Sequence, residues 1–542
     1  MGSSSQSQHG PRRVPFPLHD DDSTPAPRSA TSQTAHLSPF AASDQLPSNH
    51  FLAQRPVARD PPAPDRRSWH DAARPDTSSL AAADFDVSVD TGFLPPHEPV
   101  QTLRDLGRGW DSMEQCLQDV AREIDLIPGG GVGKLSDRFR TAVRNLPTAD
   151  TSILTTLPLL RRAHTLLAHL THYYMHSSFP SQTVVPASLA VPLVYTSERL
   201  GIPPVLTYAD TVLWVWQLVD PSQPLRADNV DITTQFTHSP SERAFFLLSL
   251  FCELHGPSIL RLMSSTLDET FFADAVALSR IARYLDSIAL LIDELAVLMR
   301  DAVKGEFGPA RNRQSIEPGV FYWEIRPWFN GGKWTYERVG PGGRDVEMEC
   351  GGPSAGQSSL VHAIDLFLGV DHSPRDQEAG SSHRPGGRGE GKGGGLSDAT
   401  FMQRMSTYMP RHHRSFLEHL ISIHDDDASL PALRSLALDH PVELQPAYDR
   451  AVAAMKRFRD THIILATHFI VAQARHPPAV DSVHYAEWET KRLAREHARI
   501  VSQREGVDRA VAKDVVVGTG GTDLSSFLKL CRDRTREALI HQ

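Results

Sequence analysis

Apolar residues along this chain recur mostly three and four positions apart, which is the spacing of an α-helix with one buried face. Three stretches with this spacing, residues 151–174, 271–303 and 524–540, are each longer than a strand usually runs. Two further apolar stretches, residues 241–256 and 455–469, predict helices of the same kind. The pattern therefore predicts an all-α protein.

Three segments lack this spacing. Residues 1–80 carry 12 of the chain's 40 prolines and many serines, a composition that cannot repay the entropy of ordering. Residues 371–396 are rich in glycine and charge, which is typical of a flexible tether. Residues from about 476 to 517 contain the charged string EWETKRLAREHARIVSQRE, which predicts a solvated helix. We expect a disordered tail and two flexible insertions around a helical body.

Composition narrows the class of protein. At 542 residues the chain is long enough for two domains. Its 65 acidic and 55 basic residues give a net charge of −10, so no basic excess indicates binding to nucleic acid or an anionic membrane. No stretch approaches the ~20 uninterrupted apolar residues of a membrane-spanning helix. These features favour a protein that binds neither nucleic acid nor membrane.

The cysteines and the first residues bear on the compartment. Cys116, Cys252, Cys350 and Cys531 are widely spaced and form no CxxC pair, which favours reduced thiols. The chain does not start with the charged and then apolar residues of a signal peptide, and acidic residues 20–22 argue against a transit peptide. We expect a cytoplasmic protein.

The stretch 455–469 contains a histidine on its apolar face. His462 shares that face with four apolar residues, Met455, Phe458, Leu465 and Phe469. A buried imidazole needs a partner, so His462 is either a core histidine bonded to a backbone carbonyl or a metal ligand. Arg459 lies one turn earlier, where it could pair with an acidic cofactor group or form an ordinary ion pair. Both alternatives stay open on these residues alone.

Two other stretches carry candidate chemistry. In residues 241–256, Phe245, Ser249 and Glu253 lie four apart on one face, although a helical serine often bonds back to the carbonyl four residues earlier. Residues 351–365 run from a small-residue loop into an apolar helix, so free backbone N–H groups there could hold an anion or admit a ligand.

Taken in order, seven blocks make the chain resemble the indoleamine 2,3-dioxygenase family. The resemblance starts near Phe85 and leaves out the tail and the two insertions. Its blocks are VPLVYTSERLGIPPVLTYADTVLWVW (191–216), FFLLSLFCE (245–253), FYWEIRPWFNGG (321–332), SAGQSSLVHAIDLFLG (354–369), YMPRHHRSFLEHL (408–420), the helix of His462, and GTGGTDLSSFLK (518–529).

The resemblance implies a two-domain helical protein that holds haem b, an iron porphyrin. The expected domains are a small one over residues 81–238 and a large haem-binding one over residues 239–542. By this resemblance His462 would be the axial ligand of the iron. Arg459 and Asp365 would form a pair near a haem propionate, and Ser354 would lie close to the propionate or the substrate.

The resemblance also implies a substrate site. Arg326 would clamp the carboxylate of the substrate, and Ser249 would donate a hydrogen bond to oxygen or substrate. The other implied contacts are Tyr208, Thr211, Val212, Phe245, Phe246 and Phe321, with Ala355 and Thr519 at the rim. Phe321 and Arg326 are five residues apart and diverge on a regular α-helix, so we expect a loop or a bent element there.

The implied reaction opens the indole ring of L-tryptophan with O2 to give N-formylkynurenine. This is the first step of the kynurenine pathway towards NAD, carried out by a monomer. Pro353 stands where the family usually has glycine, Thr211 where it often has cysteine or a small residue, and the loop before Gly518 is longer. Two alternatives remain: a haem-binding oxygen carrier on the same scaffold, and a scaffold or signalling protein whose tail and glycine-rich insertion recruit partners.

Overall fold

The computed structural model describes residues 80–107, 109–122, 134–178, 181–309, 314–372, 401–423, 432–478 and 524–541, with a few residues between 485 and 493. These residues are mostly helical, which confirms the all-α class. The α-helices longer than one turn are α1 (Trp110–Arg122), α2 (Lys134–Asn145), α3 (Leu157–His176), α4 (Ala187–Leu200), α5 (Pro240–Leu254), α6 (Gly256–Thr270), α7 (Ala275–Lys304), α8 (Ser359–Phe367), α9 (Phe401–Ser406), α10 (Arg411–Ser422), α11 (Leu433–Asp439), α12 (Gln445–Ala466) and α13 (Leu524–Glu537).

Two of the predicted helices begin later than the apolar spacing suggested. Helix α3 begins at Leu157 because Pro158 occupies its first turn, where a missing N–H costs nothing. Helix α7 begins at Ala275 because the side chain of Asp274 accepts the N–H groups of the first turn. Capping chemistry, rather than hydrophobic spacing, decides both starts.

Short strands accompany the helices. The strands are β1 (Val184–Val185), β2 (Trp216–Leu218), β3 (Val230–Ile232), β4 (Gly332–Gly340) and β5 (Arg344–Cys350). Strand β4 lies between β1, which runs parallel to it, and β5, which runs antiparallel. Strands β2 and β3 form a separate antiparallel pair with Gln217 opposite Asp231.

Among the described residues, the buried apolar side chains form two clusters. The first takes most of its residues from α1 to α5 and the sheet of β4 and β5. The second takes them from α6, α7, α8, α10 and α12. Helices α7 and α12 pack side by side in the same direction, since Arg450 pairs with Asp286 at 2.6 Å and, seven residues later on both helices, Arg457 pairs with Asp293 at 2.7 Å. The division into domains 81–238 and 239–542 stays a prediction.

Helices α5 and α6 together form one apolar stretch. Residues Pro240–Thr270 are long and apolar enough to cross a membrane by length and composition, and 56% of the most apolar window is buried inside the protein. A core helix pair has the same properties.

Several predictions fall outside the described residues. They concern the tail up to residue 79, the glycine-rich stretch from residue 373, nearly all of the insertion from residue 479, and the segment that carries Gly518 and Thr519.

Candidate active site

A cavity of about 220 Å³ lies where the two apolar clusters meet. Its wall contains residues of the first cluster and residues packed against the second, among them Cys252, Val361 and Phe458. The structure brings most of the predicted site residues to this wall. They are Tyr208, Thr211, Val212, Phe245, Phe246, Ser249, Phe321, Arg326, Ser354, Ala355 and His462. Asp365 and Arg459 do not line the cavity, and Thr519 lies outside the described residues.

Three π-helical turns shape the wall. They are Ala209–Leu213, Phe321–Ile325 and Thr467–Val471, and each contributes side chains to the cavity. In a π-helix each N–H bonds to the carbonyl five residues earlier, as the N–H of Arg326 does to the carbonyl of Phe321. Residues five apart therefore share a face, and both Phe321 and Arg326 reach the cavity. This turn is the bent element that their spacing required.

Aromatic rings from three segments meet at the cavity. The ring centroids of Phe245 on α5 and Phe321 are 4.7 Å apart at an angle of 49°. Phe321 also meets Phe469 edge to face, with centroids 5.9 Å apart. Such a cluster offers both ring faces and ring edges to a flat apolar ligand. The wall therefore suits an aromatic group better than a branched aliphatic one.

Ser249 lies one turn after Phe245 on α5 and lines the same cavity. Within the described part of the chain, its hydroxyl makes no return bond to the carbonyl of Phe245, the usual arrangement for a helical serine. The hydroxyl can therefore serve a ligand as donor or acceptor.

Arg326 brings a positive charge to this largely apolar wall. Its guanidinium lies 5.6 Å from the ring centroid of Tyr322, a cation–π contact. Burial lowers the pKa of Arg326, yet a guanidinium stays protonated in proteins. A guanidinium in a largely apolar wall can hold a carboxylate by two parallel hydrogen bonds.

His462 on α12 contributes an imidazole to the cavity. Burial, together with the charge of nearby Arg459, lowers the pKa of His462 to about 4, so the ring is neutral at pH 7. No hydrogen bond to this ring is found among the described residues, which argues against a core histidine bonded to a carbonyl. Phe458, Leu465 and Phe469 line the cavity beside it, as the apolar face of the predicted helix required. A neutral, unbonded imidazole can act as a metal ligand.

Arg459 pairs with Asp365 of α8, and the pair is buried. Oδ2 of Asp365 accepts hydrogen bonds from Arg459 and, at 2.9 Å, from Nε2 of His372. Burial alone would raise the pKa of Asp365, but the charge of Arg459 and the bond from His372 hold it well below its usual range. Arg459 also donates to Oγ1 of Thr535 at 2.5 Å, so the pair joins α8, α12 and α13. Its place near a propionate stays a prediction.

The side chain of Gln357 holds the loop before α8 against the cavity wall. Oε1 of Gln357 accepts the backbone N–H of Tyr208 at 2.8 Å, and its Nε2 donates to the carbonyl of Gly352 at 2.9 Å. At Gly356 a Cβ would lie 2.9 Å from the ring of Phe401, so only glycine allows the loop this approach. The small-residue string thus supplies close packing at the cavity.

Ser354 and Pro353 line the cavity at the same loop. The hydroxyl of Ser354 accepts the backbone N–H of Gly356 at 3.2 Å and so caps the short turn Ala355–Gln357. The structure thus gives Ser354 a local role in holding the loop, and its contact with a propionate or a substrate stays a prediction.

Other wall residues were not predicted as site residues from the sequence. They are Leu248, Cys252, Met299, Ile316, Phe329, Gly356, Ser358, Val361, Phe401, Ala466, Ile470, Phe527 and Leu528. The rings of Phe401 and Phe527 are 3.8 Å apart by centroids and come from α9 and α13. Phe527 belongs to the string GTGGTDLSSFLK and could have been found there, whereas Phe401 follows the glycine-rich stretch and has no such signal.

The fold and the cavity first define a class of protein: a helical protein that surrounds an aromatic-walled cavity with a neutral histidine and a half-buried arginine. The profile of the family described as indoleamine 2,3-dioxygenase matches residues 81–538, and the chain belongs to that family. Family membership supports a dioxygenase, which is an oxidoreductase, and implies haem.

Relatives are similar over almost their full length. The chain is 28% identical to indoleamine 2,3-dioxygenase 1 of Rattus norvegicus, over 84% of this chain and 95% of the relative. It is 28% identical to an indoleamine 2,3-dioxygenase of Aspergillus candidus, over 85% of this chain and 98% of the relative. It is 30% identical to indoleamine 2,3-dioxygenase of Saccharomyces cerevisiae, over 83% of this chain and 91% of the relative.

Proposed function

We propose that this protein is a haem-dependent dioxygenase that opens the indole ring of L-tryptophan with O2 and forms N-formylkynurenine. One observation carries the proposal: His462, Arg326 and the cluster of Phe245 and Phe321 line a single cavity. A ligand with a flat apolar group and a carboxylate matches the aromatic rings and the guanidinium. Tryptophan has both groups.

The residues present fit a haem. His462 offers a neutral ring without a protein partner among the described residues, and the cavity wall is largely apolar. In the described chain no group of three or more His, Cys, Asp and Glu side chains could hold a metal by itself. A single histidine instead suits an iron that brings its porphyrin nitrogens with it. When bound there, haem would supply the activation of dioxygen that cleaves the C2–C3 bond of the indole.

The chain's own residues would bind and orient the substrate. Phe245 and Phe321 would pack on the indole, and Arg326 would hold the carboxylate. Ser249 would donate a hydrogen bond to the substrate, and the apolar wall would exclude water from the reacting carbons. Asp365 would keep Arg459 in place behind His462.

The proposal extends to the setting of the reaction. We propose that the protein acts as a monomer in the cytoplasm, at the first step of the kynurenine pathway towards NAD. None of the four cysteines, all of which lie within the described residues, forms a disulfide, which suits a reducing compartment.

The test starts with anaerobic reduction of the haem-loaded full-length protein, followed by addition of air and L-tryptophan. The absorbance of N-formylkynurenine and the Soret band are recorded together. We expect product in many-fold excess over protein. Arg326→Leu serves as the matched variant, which should keep the Soret band and lose most of the product because the carboxylate has lost its partner.

Each other outcome identifies one alternative. Reversible uptake of dioxygen without product would indicate an oxygen carrier. Purified protein that lacks a Soret band and does not gain one with added haem would indicate a scaffold or signalling protein. Equal product from the Arg326→Leu variant would contradict the assigned role of the guanidinium.

A further inference from the structure

Glu253 is a buried carboxyl directly behind the cavity wall. It lies on α5 one turn after Ser249 and is 1% exposed. Its Oε1 accepts two hydrogen bonds, from the hydroxyl of Tyr208 at 2.9 Å and from the hydroxyl of Ser358 at 2.7 Å. Tyr208 and Ser358 both line the cavity. One carboxyl oxygen therefore ties α5 to the π-helical turn that follows Tyr208 and to the start of α8.

The surroundings of Glu253 do not compensate a negative charge. Its Oε2 is buried and has no hydrogen-bond partner among the described residues. Within the part of the chain that the structure describes, no cation pairs with it. The titratable neighbours are Tyr208 on the facing turn and Cys252 on its own helix. Burial raises the pKa values of both, that of Cys252 to about 12, so both stay neutral.

The carboxyl changes its charge within the physiological range. Burial raises the pKa of Glu253 to about 7, although the bonds from Ser358 and Tyr208 lower it in part. Near neutral pH the group behind the wall is therefore a mixture of carboxylic acid and carboxylate.

We infer that Glu253 is a positioning residue that holds Tyr208 and Ser358 in the cavity wall and couples substrate binding to the uptake of a proton at its carboxyl. The inference rests on the proposed function, because it takes L-tryptophan as the ligand. It adds that pH controls the affinity for L-tryptophan. Glu253 exerts this effect through Tyr208 and Ser358 and does not contact the substrate itself.

The physical reason lies in what an indole does to the cavity. A bound indole replaces water beside Tyr208 and Ser358 with an apolar ring, so a charge behind them loses solvation. This loss of solvation favours the neutral acid in the complex, so that binding takes up a proton and affinity falls as pH rises above the pKa of the free enzyme.

The test measures equilibrium binding of L-tryptophan to the haem-loaded protein without dioxygen, followed by the Soret band, from pH 5.5 to 8.5. KM and kcat are measured over the same range. We expect the dissociation constant of the wild type to rise about fivefold from pH 6 to pH 8, with kcat changed less than about twofold. Glu253→Gln keeps an oxygen acceptor for both hydroxyls but cannot ionise, so its affinity should stay constant over this range.

Two further variants sharpen the test. Tyr208→Phe removes a hydrogen bond that favours the carboxylate, so the fall in affinity should move to higher pH by roughly half a unit. Glu242→Gln is the matched control, because Glu242 is a buried carboxyl on the same helix whose pKa burial also raises, but it bonds to Thr237 and the N–H of Phe236, away from the cavity. This control should keep the pH dependence of the wild type.

The outcomes separate this inference from the proposed function. A wild type that binds and converts L-tryptophan, with the same pH dependence in Glu253→Gln, would overturn the role of Glu253 and leave the function standing. If Glu253→Gln does not fold, an unshifted curve in Tyr208→Phe would overturn it equally. A wild type that binds no L-tryptophan at any pH would overturn the proposed function and this inference with it.

Discussion

Helix α3 buries four histidines, whereas helix α12 carries one that is half-buried, and the two sets differ in their hydrogen bonds. Those of α3 are His164, His169, His172 and His176, and each has a ring nitrogen bonded to another protein group. His172 is the clearest case, because it bonds to the carbonyl of Trp328 at 2.7 Å and accepts the N–H of Leu206 at 3.1 Å. His462 on α12 has no such bond in the described residues and lies at a cavity.

The pKa values do not distinguish the histidines of α3 from His462. Burial lowers the pKa of His172 to about 3 and the pKa of His462 to about 4, so both rings are neutral at pH 7. The difference lies in what each nitrogen can still do. A histidine with both nitrogens engaged holds chain segments together, whereas an unbonded one beside a cavity can bind a ligand. A perturbed pKa is thus a sign of burial before it is a sign of function.

The strongest test of this comparison is His462→Ala. We expect the variant to lose at least about nine-tenths of its bound haem, because the proposed iron ligand is gone, and to keep its helical content. The Soret absorbance per protein and the far-ultraviolet circular dichroism measure the two properties. Full haem occupancy would show that another residue binds the iron and that the comparison of the helices is misplaced.

Arg326→Leu tests the substrate side of the same cavity. We expect kcat/KM for L-tryptophan to fall by about 100-fold to 1000-fold, the usual range for truncating a buried charge partner. Haem retention should stay at the wild-type level because His462 is untouched. Steady-state kinetics with the Soret band as the reference check this, and a loss of haem in the variant would assign Arg326 to the cofactor instead.

His172→Ala tests the structural set. The change leaves the carbonyl of Trp328 and the N–H of Leu206 without partners, so the free energy of unfolding should fall by about 2 kcal/mol at pH 7. The folded fraction should keep its haem and its activity. Urea unfolding followed by circular dichroism gives the stability, and loss of the Soret band from protein that is still folded would contradict the assignment.

His169→Phe gives the smallest expected effect, on the pH dependence of stability. Burial lowers the pKa of His169 to about 4, below the unfolded value of 6.5. The stability that His169 provides is therefore complete above pH 6.5 and is lost as the pH falls towards 4. Between pH 7 and pH 5.5 the wild type should lose about 1 kcal/mol more than the variant, which has no group to protonate. Unfolding curves at both pH values measure the difference, and parallel losses would refute it.

The apolar spacing was sufficient for the helices but not for their packing. Residues 455–469 were predicted as one helix with His462 among apolar residues, and α12 with its π-helical turn presents Phe458, Leu465 and Phe469 to the cavity beside it. Spacing could not indicate that Thr467–Val471 is π-helical. A π-helical hydrogen bond joins an N–H to the carbonyl five residues earlier, and an α-helical one joins it to the carbonyl four residues earlier. Contacts from outside the helix decide which of the two forms.

In the candidate site, too, some features could be predicted from the sequence and others depended on how the helices pack. Phe321 and Arg326 could be recognised as five apart, which required a bend, and the structure supplies it as a π-helical turn. The partners of Arg459, by contrast, come from helices α8 and α13. Such pairs depend on helices that meet only after folding, so no local pattern announces them.

The sequence by itself determined the helical class, the apolar faces, the family and the residue types of the site. These follow from spacing and side-chain chemistry, which are local. Only the tertiary structure decided that one oxygen of Glu253 would bond to both Tyr208 and Ser358, that the nitrogens of His172 would be engaged and that those of His462 would be left unbonded. Burial and hydrogen-bond partners arise where distant segments converge, and they decide whether an ionisable side chain supports the fold or acts in the site.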